Sequence, residues 1–371
     1  MEGKRTKLRI YLEFNFFKKF MTNIPEANVH SSDRTRHDIY RDIFGLILES
    51  DLRSPKNGEQ YPYSEYVNAL AKIGEYVNPP EIENTDKFKF INELKFDFPF
   101  NLFFIEFNDH KINNLTNSTG YAFANSNNVF QLFEKLSMAG EFNDIISIAP
   151  EKGKKNIFDH SQLTKYKYPT NFVYYIDVYL TTWTIEKVRD NLLLELKYLF
   201  IENYKNPIKI TIISCYNKEF EKRNLGKTRV AEAEDVYNYL MEQFQDYNIS
   251  FDIIYFMKED LKIAAGKASK NGWGDELKSF YVLIDETFHD RETVSNYLYT
   301  FSGRSRDFNM QHDENDVSKK HRIKKKTKLF FKAILKPVVL DTCLNDLENI
   351  ENIIQASNSV LLNNFKVHIK K

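Results

Sequence analysis

The stretch YVLIDETFHDRETVSNYLYTFSGRSRDFN, residues 281–309, decides how the second half of the chain is read. An apolar run from Phe280 to Ile284 precedes His289, Asp290 and Arg291, and a second run, Tyr297 to Phe301, leads into Ser302-Gly303. Two such runs with a polar interval predict a pair of strands. His289 and Arg291 stand two apart on an extended segment, so they project to one face. Asn296 follows five residues after Arg291, Gly303 seven after Asn296, and Arg304 and Arg306 adjoin that glycine turn. A glycine lets backbone amides approach an anion closely, and guanidiniums present a forked set of donors that matches phosphate. His289, Arg291, Asn296, Gly303, Arg304 and Arg306 therefore form a candidate phosphate pocket.

Upstream, the pattern alternates between strand and helix. Phe172 to Leu180 reads as a strand, and Thr184 to Phe200 as a helix with Ile185, Val188, Leu192, Leu196 and Leu199 on one side. Ile208 to Cys215 and Ile249 to Phe256 read as strands flanking a helix at Val230 to Phe244, with a short helix at Asp260 to Lys270. Lys328 to Leu340 gives a further strand and Leu344 to Ile354 a closing helix. A β-α-β-α-β run followed by a strand pair predicts a mixed sheet flanked by helices. The N-terminal part predicts a smaller α/β unit. It has strands at Leu8 to Leu12 and Asn101 to Phe107, and helices at Thr35 to Leu48 (capped by Asp33), Ser64 to Tyr76 and Asn127 to Met138. The polar segment at 151–168 is the boundary, so the expected class is α/β in two domains, 1–160 and 165–371.

Length and charge bound the rest. At 371 residues the chain suits two cores. Lys+Arg and Asp+Glu balance at 52 each, so any affinity for a polyanion must come from a local patch. One such patch is the run of Lys319, Lys320, Arg322, Lys324, Lys325, Lys326 and Lys328, which follows the acidic Asp313, Glu314 and Asp316. It can bind nucleic acid or anionic membrane, or it can be a solvated loop whose charges pair locally. No aromatic residue lies within it, so base stacking there is not indicated. Cys215 and Cys343 stand alone, which reads as two buried thiols, and no zinc motif or cofactor signature occurs. Gly226-Lys227-Thr228 ends like a phosphate-binding loop, but Glu221 occupies the place of the first required glycine. Without an apolar leader or a run of about 18 apolar residues, the expectation is a cytoplasmic protein with no transmembrane segment. In the N-terminal unit, Glu13, Glu106 and Asp109 stand at or just past strand ends, where carboxylates can converge on a divalent metal or be plain exposed surface carboxylates, the reading the sequence favours. The segment Asn101 to Asn127 resembles PIN-like nucleases, although their usual strand-terminal aspartates are not in place.

The opening stretch also resembles the phospholipase D superfamily, whose motif is H-x-K-x4-D-x6-G-S-x-N. The same frame here reads His289-x-Arg291-x4-Asn296-x6-Gly303-Arg304-x-Arg306. The spacing is kept, while Arg replaces Lys, Asn replaces Asp, and Arg replaces the Ser and Asn that follow the glycine. The pattern is similar to the non-catalytic phospholipase-D-like domains at the C-terminus of some MIT-domain proteins, and to bacterial proteins associated with defence systems. In those, a strand like Pro169 to Asp177 opens the domain. The resemblance covers about 165–371. It implies that His289 would be the nucleophile on phosphorus and Arg291 a phosphate ligand, with no cofactor. Only one motif is present, so cleavage would need a homodimer bringing two His289 together.

Three functions follow as expectations. The first is a non-catalytic phosphate- or nucleic-acid-binding component of a prokaryotic defence system, with partner proteins from the same operon. The second is a metal-independent phosphodiesterase acting as a homodimer. The third is a scaffold that recruits a protein partner or anionic membrane through the basic run.

Overall fold

The computed structural model describes residues 8–26, 35–55, 58–60, 99–137, 144–148, 159–177, 180, 183–201, 206–216, 232–257, 291–302, 327–335, 339–345, 347–348 and 368–370. The expected helices at 64–76 and 260–270, the run at 280–284 and Asp33 lie outside them. The chain forms two α/β units, Met1–Met138 and Ala139–Lys371. The division falls ahead of the polar segment at 151–168, because β5 (Asp144–Ile148) pairs with a strand of the second unit.

In the first unit a four-stranded parallel sheet has the order β2-β1-β3-β4, from β1 (Arg9–Leu12), β2 (Asp51–Arg53), β3 (Asn101–Phe104) and β4 (Ala122–Ala124). Alternation along β3 sends Phe103 and Phe104 to opposite faces. Phe104 stacks on Phe16 of helix Phe14–Thr22 at 5.0 Å and packs near Phe133 of helix Val129–Ser137. Phe20 reaches Tyr40 of helix Arg36–Glu49 at 4.5 Å. On the other face Phe103 stacks between Tyr11 and Phe123, at 4.5 and 4.4 Å, beneath Ile112 of helix Asp109–Thr119. The unit is thus a parallel sheet with helices on both faces.

Thr35 caps the helix that begins at Arg36. Its hydroxyl accepts from the Asp38 amide and its own backbone amide donates to the Asp38 carboxylate at 2.9 Å, which completes a capping box; the hydroxyl also donates to that carboxylate at 2.7 Å. The Thr35 hydroxyl, and then its backbone amide, hold the Asp38 carboxyl below its ordinary range. Because that value is depressed, the cap's contribution is present above the usual carboxylate range and is lost as pH falls through the lowered value.

In the second unit an eight-stranded mixed sheet has the order β12-β8-β7-β6-β9-β10-β11-β5. Its strands besides β5 are β6 (Phe172–Ile176), β7 (Ile208–Tyr216), β8 (Ile249–Met257), β9 (Arg291–Ser295), β10 (Leu298–Ser302), β11 (Thr327–Ala333) and β12 (His368–Lys370). β6, β7 and β8 are parallel, as expected for strands joined through helices, and every other pairing is antiparallel. The helix after β6 runs through Ile185–Lys187, a π segment Val188–Leu193 and Leu194–Leu199, and it buries Val188, Leu192, Leu196 and Leu199. Ala233, Val236 and Leu240 are the buried positions of helix Ala233–Gln243. The strand expected at Lys328 to Leu340 ends at Ala333, and residues 339–345 are helical. No helix among the described residues is long and apolar enough to cross a membrane.

Candidate functional site

The first unit gathers polar groups at the carboxyl ends of its strands. The connection from β1 to β2 carries helices on the Phe104 face, and the connection from β3 to β4 carries its helix on the Phe103 face. The direction of winding therefore reverses between β1 and β3, the position where open α/β sheets hold ligands. Glu13 and Glu106 stand just past those two strand ends. Glu13 is 3 % exposed, and its carboxylate accepts the Glu106 amide proton at 2.6 Å. Glu106 accepts from the Ser126 amide at 2.8 Å and from the Lys19 ammonium at 2.6 Å. Asp109 accepts from the side-chain amides of Asn125 and Asn128, at 2.7 and 3.3 Å.

The three carboxylates weighed as metal ligands each serve as acceptors that tie neighbouring loops together. Among the described residues no group of three His, Cys, Asp or Glu side chains could hold a metal ion. Asn125, which the sequence did not single out, is the hub of this edge. It also donates to the Phe107 carbonyl and accepts from the amides of Asn127 and Asn128. Glu13→Ala is expected to cost about 2 kcal/mol, because the Glu106 amide loses its buried acceptor. A urea titration of the full chain reads this as a lowered midpoint.

In the second unit Arg291 and Asn296 belong to a hairpin whose first strand is β9. The sequence did not single out β9 (RETVS) because it is polar, and the strand expected at 280–284 lies outside the described residues. Thr293, Val294 and Ser295 are nevertheless buried, in the middle of the sheet between β6 and β10. The Ser295 hydroxyl accepts from the Leu298 amide and donates to the Leu298 carbonyl, which closes the turn. Tyr299 donates its hydroxyl to Glu292 at 2.6 Å across the pair.

The register then decides which positions are neighbours. Arg291 is opposite Ser302, and Glu292 is opposite Ile176 at the end of β6. Phe301 is opposite Phe330, so β11 begins at the edge where β10 ends. The start of β9, the end of β10, the start of β11 and the carboxyl ends of β6, β7 and β8 all lie along one edge of the sheet. Lys328, the last residue of the basic run, is the second residue of β11. His289, Gly303, Arg304, Arg306, Lys319, Lys320, Arg322, Lys324, Lys325 and Lys326 lie outside the described residues.

Asn296 does not belong with Arg291 in one pocket. It sits in the turn at the other end of β9, roughly 16 Å away at ~3.3 Å per residue. Its side chain has no exposed surface. Its carbonyl oxygen accepts from the amides of Asn171 and Phe172 at 2.9 and 3.2 Å, and its amide nitrogen donates to the Asn171 side chain at 2.8 Å. Asn206 donates to the Thr170 carbonyl beside it. Asn296 is a clasp that fixes the start of β6 to the hairpin turn, and a phosphate has no access to it.

The edge bearing Arg291 also carries Asp177. This residue follows β6, has no exposed surface, and donates its amide proton to the Ile213 carbonyl at 3.1 Å. Its own carbonyl accepts from the Ser214 hydroxyl at 2.6 Å. A charged residue ending the apolar run Phe172 to Ile176 was the only sequence signal for it. No family model matches the chain, and no curated protein or solved structure is significantly similar to it.

Proposed function

We propose that the second unit binds phosphate groups of a nucleic acid along the edge of its sheet where β9 and β11 begin and β10 ends. One observation carries this reading. The pairing of Arg291 with Ser302 and of Phe301 with Phe330 sets the start of β9, the end of β10 and the start of β11 at one edge. In sequence these positions adjoin His289, Gly303-Arg304-x-Arg306 and the basic run that ends at Lys328, all of which except Lys328 lie outside the described residues. The carboxyl ends of the parallel strands β6 to β8 share this edge, and α/β sheets commonly bind ligands there. With formal charge balanced over the whole chain, a clustered set of cations is what would give local affinity for a polyanion. The test is fluorescence anisotropy of a labelled single-stranded oligonucleotide against the full chain over a salt series. Binding that weakens steeply with salt supports the reading, and no binding at low salt overturns it.

A second reading, cleavage of a phosphodiester by His289 in a homodimer, gains from the placement of Asn296. The phospholipase D motif carries an aspartate at this position, where this chain has a neutral amide. Asn296 is fully buried and bonded to Asn171 and Phe172, so it serves the fold, and its neutrality leaves the chemistry of the His-x-Arg pair open. This reading expects cleavage of a phosphodiester substrate that persists in EDTA and is abolished in His289→Ala. Turnover unchanged in that variant would exclude it.

A further inference from the structure

We draw no further inference here: the strongest candidate, the polar side-chain cluster of Glu13, Glu106, Asp109 and Asn125 at the carboxyl ends of β1, β3 and β4 in the first unit, is made of groups that tie the surrounding loops to one another, and nothing among the described residues points to a ligand there.

Discussion

Asn296→Ala is expected to lower the unfolding free energy by about 3–5 kcal/mol, among the largest effects of a single substitution in the second unit. The side chain is fully buried and engages three groups, the amides of Asn171 and Phe172 and the Asn171 side chain. Truncation leaves those groups without a partner where water cannot replace it, at about 1–3 kcal/mol for each. The damage is not local, since the clasp joins the β9–β10 turn to the first residues of β6, the strand at the centre of the sheet. Asn296→Asp should cost less. A carboxylate still accepts from both backbone amides, and Asn171 can turn its amide over to donate to the second oxygen. Urea unfolding followed by far-ultraviolet circular dichroism reads both variants. A midpoint for Asn296→Ala equal to wild type would mean that the clasp does not hold the sheet.

The second large effect is on binding. Replacing Arg304, Arg306, Lys324, Lys325 and Lys326 together by glutamine is expected to reduce oligonucleotide affinity on the order of a thousandfold near 0.1 M salt. Each phosphate contact on a single strand contributes a slope of about 0.7 to the dependence of log affinity on log salt. Removing five contacts should therefore make that slope about 3.5 units shallower. The slope separates this outcome from a general loss of folded protein, which would reduce the bound amplitude without changing the salt dependence. An unchanged slope would mean that these cations face solvent and pair with acidic neighbours such as Asp313, Glu314 and Asp316.

The parallel strands β6, β7 and β8 were legible because each is a dense run of apolar and β-branched residues, such as Ile208, Ile210, Ile212 and Ile213 in β7. β9 was not legible. Its buried residues include Thr293 and Ser295, whose hydroxyls are tolerated inside the sheet, so the alternation used to find strands carries no apolar signal there. Helix Asp109–Thr119 escaped for a related reason, since Ile112 is its one buried residue among polar neighbours. The cap at Asn108, which accepts from the Lys111 amide at 2.9 Å, was the available clue.

At the candidate site, spacing along the chain showed which residues could meet a phosphate, but it could not show which of them are neighbours. Asn296 is five residues from Arg291 and lies at the opposite end of a strand. Ser302 is eleven residues away and lies directly across from it. Only the reversal of the chain in the hairpin makes that distinction. It turned Asn296 from a phosphate ligand into a clasp and brought the unremarked Asp177 to the edge. In the first unit the strand-end carboxylates were legible, but their neighbours were not. The Ser126 and Glu106 amides, Lys19, Asn125 and Asn128 make Glu13, Glu106 and Asp109 into loop ties.

The most direct test of the phosphate edge is to map where a single-stranded oligonucleotide touches the chain, by photochemical crosslinking of the full-length protein and mass spectrometry of the peptides. The account predicts adducts in peptides containing Arg291 and in those that follow Ser302, lost at high salt, and none in the turn around Asn296. Adducts confined to the first unit, or centred on the Asn296 turn, would contradict it.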